Sequence, residues 1–302
     1  MWELHYLLKL RPTGISVNLV FGIAIDLAVN DLDVNKDLDK AIEIFRNAFK
    51  YENMNDVIMN DDDSDIEESI IDQEMYDKSK EFSKPKHWLA WACLRTIGRM
   101  LLEKYYKDIL PLIEEVEGVQ IELSGRPGII DKIVKLRGHG RVLLDNKTSN
   151  RPYADNAPSS STQLALYCKD KGIKKAGFIV FNKKLQNNTR KICLKCGYDG
   201  SFVRHETCPK DNNGKRCKGD WQKTYKPEAV IQLLVEDIPD VNKDLIESSI
   251  SAVEKGIEAS IYPRNLKACG KIYGKPCPYI KYCWNDSKEG LEYKTKEEEE
   301  NE

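Results

Sequence analysis

The sequence predicts an α/β fold in which one mixed β-sheet is flanked by helices and interrupted late by a cysteine-bearing insert. Three observations carry that expectation. Two long helical stretches precede the main strands, the hydrophobic period then drops to two across three short segments joined by glycine-containing turns, and helices alternate with strands thereafter. At 302 residues, 41% hydrophobic and 32% charged, the chain can bury one large core, or one core with insertions.

Residues 15–31, ISVNLVFGIAIDLAVND, are apolar nearly all round, as a buried helix requires, and KDLDKAIEIFRNAFK continues as an amphipathic one. The run NDDDSDIEESIIDQE at 60–74 carries eight acidic and no basic residues, which reads as a solvated loop, with partner docking or a decoy role as the alternative. A second long helix follows in KPKHWLAWACLRTIGRMLLEKYYKDIL, with Pro85 near its start. VQIELSGRP, GIIDKIVKLRG and GRVLLDNKT then form a β-meander. SSSTQLALYCKDKG at 159–172 is a helix with serine capping candidates, and KAGFIVFNKK at 175–184 a strand. After a polar, cysteine-bearing insert, AVIQLLVEDI resumes as a strand and VNKDLIESSISAVEKGIEAS as a helix. The boundaries expected are 1–186 for the first part of a core (acidic loop at 52–80), 187–224 for a zinc-ribbon-like insertion, 225–286 for the rest of the core with a cysteine cluster, and 287–302 for an acidic tail.

Net charge is −2, and neither a transmembrane-length run nor a signal-peptide pattern is visible, so a cytoplasmic chain with no membrane partner is expected. Near-neutral charge does not argue against a nucleic-acid partner, because basic surface in one place can be offset by acidic segments elsewhere.

The chemistry-bearing residues begin with Asp131, preceded by two isoleucines on a strand read as central, where a carboxylate is costly to bury unless it is paired or ligates a cation. Asp145 ends the next strand in the same way, in VLLDNKTSNRPY, and Lys147 returns to the same face two residues on. On neighbouring antiparallel strands these groups can converge. Two carboxylates and an ammonium suit phosphodiester cleavage: oxygen ligands hold Mg²⁺ or Mn²⁺, and the ammonium orients a nucleophile or neutralises developing charge. Gln163 and Tyr167, four apart, share a face of the 159–172 helix.

Taken together, GIIDKIVKL, VLLDNKTSNRPY and STQLALY resemble the RecB-like branch of the PD-(D/E)XK nuclease superfamily. The resemblance implies a restriction-endonuclease-like core and a DNA nuclease, with exonuclease action on single-stranded or end-containing DNA. It makes Asp131 the first metal-binding acid, Asp145 and Lys147 the D-x-K pair, Asn146 a donor of its backbone carbonyl to the metal, and Gln163 and Tyr167 the Q-x-x-x-Y pair that touches DNA or supports the site. The family also carries a glycine with a histidine four residues later on the first long helix. Here Gly22 is followed by Asp26, and a carboxylate is a good hard-metal ligand, so Asp26 is expected to join Asp131 and Asp145. His87 is a weaker substitute. A catalytically inactive DNA- or partner-binding module on the same fold is the alternative reading.

Of nine cysteines, Cys193, Cys196, Cys208 and Cys217 fall within twenty-five residues that hold little to fold around, which points to a tetrahedral Zn²⁺ site. Eight residues separate Cys208 from Cys217, and His205 is an alternative ligand. Lys191, Lys195, Arg204, Lys210, Lys215, Arg216 and Lys218 make this segment basic. Cys269, Cys277 and Cys283 resemble the C-terminal cluster of the family's iron–sulfur nucleases, which implies a [4Fe–4S] centre. Such a centre normally takes a fourth cysteine from the N-terminal region, where the earliest here is Cys93. The alternative is that these cysteines only pack the end of the chain.

Overall fold

The structure, a computed structural model, describes residues 10–12, 15–51, 57–58, 70–124, 128–199, 206–212, 215–259 and 291–293. Two short strands, β1 (Leu10–Pro12) and β2 (Ile15–Ser16), lead into helix α1 (Val17–Asn35). One face of α1, carrying Val17, Phe21, Ala24, Ile25, Ala28, Val29 and Leu32, is fully buried. The helix is not buried all round as its composition suggests: Leu19, Ile23, Leu27 and Val34 are exposed. Lys36, in the left-handed conformation, ends it, and Asp37 caps α2 (Leu38–Ala48) by accepting from the Lys40 amide at 3.0 Å.

After β3 (Val57–Ile58), which pairs in parallel with β2, and α3 (Gln73–Ser79), the long helix α4 (Pro85–Lys104) begins with proline in its first turn. Gly98 lets α4 close on α2, since a Cβ there would lie 2.1 Å from the Phe45 ring. Phe45 in turn packs against Phe21 and Phe49, so aromatic contacts lock α1 to α2. Tyr105–Ile109 and Leu110–Leu112 form a wide and then a tight turn that delivers the chain to the sheet.

The meander is β4 (Ile113–Glu122), β5 (Ile129–Leu136) and β6 (Gly140–Ser149); helix α5 (Thr162–Lys171) then connects β6 to β7 (Lys175–Cys193). After the short strands β8 (Asp211–Asn212) and β9 (Lys215–Arg216) come β10 (Trp221–Asp237), α6 (Asp240–Glu258) and β11 (Leu291–Tyr293), which pairs with β1. The central sheet has five strands in the order β10-β7-β6-β5-β4; β6 and β7 are parallel and the other pairs antiparallel, so the sheet is mixed. Val134, Leu136, Val142, Leu144, Ile179 and Phe181 meet α1, α2 and α4 on one face, while Ile133, Leu143, Phe178 and Val180 pack under α5 on the other. Alternate residues of each strand thus serve two cores.

Three boundaries differ from expectation. The stretch expected as an acidic loop over 52–80 ends in helix α3 from Gln73, because Asp72 caps it by accepting from the Met75 amide at 2.8 Å. β4 starts at Ile113, six residues ahead of the expected VQIEL segment, because an edge strand can carry Glu114, Glu115 and Glu117 outward. The ladder between β7 and β10 continues through position 187 to the pair Cys193 and Trp221. The cysteine-bearing segment is therefore the end of a two-stranded ribbon grown from the sheet.

Candidate functional site

The meander sets Lys132 opposite Leu144, which brings Asp131 and Asp145 to adjacent places where β5 and β6 leave the core. The amide N–H of Asn146 donates to Asp131 Oδ2 at 2.6 Å. Its side-chain amide, on the other face, donates to Asp26 Oδ1 at 2.8 Å. One residue thus joins carboxylates from α1 and β5 beside a third on β6. Gly22 permits this, because a Cβ there would lie 3.2 Å from Thr148 Oγ1, and α1 needs that close approach to bring Asp26, one turn later, to the strand end.

Lys147 Nζ stands 2.6 Å from Asp145 Oδ2 and donates to Gln163 Oε1 at 3.2 Å; Gln163 Nε2 donates to the Tyr167 hydroxyl at 3.0 Å. The i, i+4 spacing on α5 makes that relay possible. All seven residues expected here, Asp26, Asp131, Asp145, Asn146, Lys147, Gln163 and Tyr167, lie in one connected array. His87 lies in the first turn of α4.

Burial, with the charges of Asp145 and Asp26, pushes the Asp131 carboxyl up to about 7. Burial also raises Asp145 against the pull of Lys147. The Lys147 ammonium is weakened by burial, but Asp145 and Asp131 outweigh this and raise it. Asp145 Oδ2 is held by the Lys147 ammonium, while Asn146 Oδ1 is a buried oxygen lacking a hydrogen-bond partner among the described residues. Asp26 and Asp145 both raise Asp131, and a hard divalent cation would offset that repulsion.

Sequence reasoning missed two contributors. Asn30 and Gln120 both donate to Asp26 Oδ2, at 3.2 and 3.0 Å. Gln120 holds a left-handed φ of 50° in a strand, a conformation rare outside glycine. Neither feature leaves a trace in a hydrophobic pattern.

Behind the site, Lys132 on β5 is fully buried against Asp33 of α1. The Tyr105 hydroxyl donates to Asp33 Oδ1 at 2.6 Å, and Lys132 Nζ donates to that hydroxyl at 3.2 Å. Burial and the Asp33 charge hold the Tyr105 hydroxyl well above its ordinary value. These three residues tie α1, the end of α4 and β5 together two turns along α1 from Asp26.

At the ribbon tip, the thiols of Cys193, Cys196, Cys208 and Cys217 all lie within 4.8 Å of one another, the one such convergence of His, Cys, Asp or Glu ligand atoms among the described residues. Cys193 and Cys217 sulfurs are 3.7 Å apart and those of Cys196 and Cys208 3.6 Å. These are not disulfides. Sulfurs about 2.3 Å from a central Zn²⁺ stand about 3.8 Å apart along a tetrahedron's edge, so the four could hold a metal ion such as zinc. The long Cys208 to Cys217 spacing is taken up by the β8–β9 hairpin, which brings the Lys218 amide back to the Cys208 carbonyl at 3.1 Å. Gly219 is required beside the thiols, since a Cβ there would lie 2.6 Å from Cys193 Sγ. Burial opposes ionisation of Cys193, but the N–H groups of Lys195 and Cys196 and the neighbouring thiols outweigh it and draw the thiol down to about 7. Cys208 is pushed up to about 12, by burial first and by the Cys193 charge as well. A cation would relieve that conflict. His205 and the cysteines Cys269, Cys277 and Cys283 lie outside the described residues. Cys93 is buried within α4.

No described helix is long and apolar enough to cross a membrane. Among known proteins, no family model and no solved structure matches the chain. A segment of 83 residues is 30% identical to a UDP-N-acetylmuramoylalanine--D-glutamate ligase from Clostridium novyi (strain NT), covering 28% of this chain and 18% of the ligase. The overlap takes in less than a fifth of that enzyme.

Proposed function

We propose that the chain is a metal-dependent deoxyribonuclease of the RecB-like PD-(D/E)XK type, with a restriction-endonuclease-like core, that hydrolyses phosphodiester bonds of single-stranded or end-containing DNA. The observation that carries the reading is the linkage of Asp26 and Asp131 through Asn146, with Asp145 the preceding residue on the strand, next to the Lys147–Gln163–Tyr167 relay. Asp26, Asp131, Asp145 and the Asn146 carbonyl are the groups to hold Mg²⁺ or Mn²⁺. When bound, that ion supplies charge neutralisation at the phosphate and a water acidified for attack. Lys147 keeps its positive charge beside two carboxylates and meets the charge that develops on the phosphate oxygens. Gln163 and Tyr167 fix the direction of the Lys147 amine, and the fixed geometry lowers the cost of reaching the transition state. The ribbon-tip cysteines belong to a structural Zn²⁺ site with all four positions filled by protein.

Lys147→Ala and Asp145→Ala should each abolish Mn²⁺-dependent degradation of linear DNA while far-ultraviolet circular dichroism stays that of the parent. Digestion by Lys147→Ala at the parental rate would sink the assignment.

One observation favours a second reading, an inactive DNA-binding module. Both Asp26 oxygens already accept hydrogen bonds, from Asn146 on one side and from Asn30 and Gln120 on the other, as in a carboxylate held for structure. DNA binding without turnover at saturating Mn²⁺ would select that reading.

A further inference from the structure

The ribbon has a direction. β7 runs parallel to β6 and stands beside it from Val142 paired with Lys175 to Ser149 paired with Asn182, so both strands point out of the core at the carboxylate end. β6 stops there, while β7 continues with β10 as its partner to Cys193. Val180 is level with Lys147, and the thirteen residues from there to Cys193 span at most about 44 Å of extended strand. The four-cysteine tip is therefore held beyond the edge at which Asp145 and Lys147 emerge.

The tip is also where positive charge collects. Within 187–224 nine Lys and Arg outnumber four Asp and Glu, in a chain whose net charge is −2. Lys195, Lys210, Arg216 and Lys218 are all exposed and sit within two residues of a cysteine of the cluster. Lys210 lies over the Tyr198 ring at 6.0 Å, and Tyr198 packs with Trp221 against the cysteines, which fixes the base from which these charges project. The ladder register sets Lys191 opposite Lys223, so basic positions continue down both strands towards the sheet. Cations kept on a rigid, metal-ready base complement a polyanion whose charges recur along its length.

We propose that the ribbon tip is a second, sequence-independent grip on the phosphate backbone of the DNA whose end occupies the carboxylate site. The proposal rests on the nuclease reading and adds a length requirement to it. At one phosphate per 3.4 Å of each strand, that upper bound of about 44 Å corresponds to about 13 base pairs. Duplexes longer than this engage both sites, and a duplex too short to span them reaches the carboxylate site alone.

The test uses the full-length protein, end-labelled duplexes of about 8, 16 and 24 base pairs, and fluorescence anisotropy without added divalent cation, so that nothing is hydrolysed. For the unaltered protein, affinity should rise at least about tenfold between the shortest and the middle length and little thereafter. The combined Lys195→Gln, Lys210→Gln, Arg216→Gln and Lys218→Gln variant should lose that step. The slope of log affinity against log salt on the 24-mer should fall by about 3 to 4, from four lost phosphate contacts. A variant with Lys195, Lys210 and Lys218 replaced by Arg should keep both properties, which separates charge from ribbon integrity. Equal slopes and an equal length step in the Gln variant would overturn the proposal. A Mn²⁺ digestion assay on the same DNAs separates the two readings. Cleavage with an unchanged slope removes the grip and leaves the nuclease. A lost slope without cleavage by the unaltered protein leaves the grip and removes the nuclease.

Discussion

Asp131 and Lys132 are neighbours on β5, yet one carboxyl is short of cations and the other side chain is a fully buried ammonium with a carboxylate partner. Strand alternation sends them to opposite faces. Because Asp131 is pushed up to about 7, the folded protein holds a proton that the unfolded chain releases near 4. The associated stability is present in full below the unfolded value and is lost as pH rises through the folded one. Without added Mg²⁺ or Mn²⁺, the melting temperature should fall between about pH 5 and about pH 7.5, and Asp131→Asn should flatten that decline. Parallel profiles for the two proteins would show that Asp131 is not the group responsible. At this scale the sequence is readable where charge interrupts an apolar strand, as at Asp131, Asp145 and Lys147. It is silent at Asn30, Gln120 and the side chain of Asn146, because an amide bears no charge and fits many surfaces; only folded geometry shows that all three serve Asp26.

The element that places Asp26 is α1, and it is fastened at both ends of its functional stretch. Gly22 sits against Thr148, and Asp33 is engaged by Lys132 and Tyr105. Breaking a buried ion pair from one side strands a charge, so Lys132→Met should cost about 3 to 5 kcal/mol of folding stability. Adding Asp33→Leu should return part of it, as measured by urea unfolding; a double variant less stable than Lys132→Met alone would contradict the pairing. The long helices are legible in the sequence because Pro85, the serines before Thr162 and the apolar spacing mark them, whereas the seven-residue α3 hides in an acidic stretch. The extensions of β7 and β10 are not, since residues such as Asn187, Asn188 and Thr189 carry no apolar alternation and are strand only through backbone pairing.

For the whole molecule, the order of helices, meander, helix and strands is enough to predict an α/β architecture with a mixed sheet, and the parallel β6–β7 pair follows from the α5 crossover between them. The cysteine spacing was half legible: Cys193 and Cys196 announce a ligand pair, whereas the partnership of Cys208 with Cys217 needs the β8–β9 hairpin, whose two-residue strands leave almost no pattern. That closure bears on the order in which the chain folds. β7 and β10 pair along nearly their whole length, and a slip by one residue would turn every side chain to the wrong core. A metal held by the four thiols would close the loop between Cys193 and Trp221 early, shorten the chain that must be searched and fix the register from the tip inward. Refolding from urea should accordingly be faster with Zn²⁺ present than with Zn²⁺ withheld and added afterwards, and Cys217→Ser should remove the difference. Equal rates would mean that the sheet finds its register unaided and the ribbon tip merely follows.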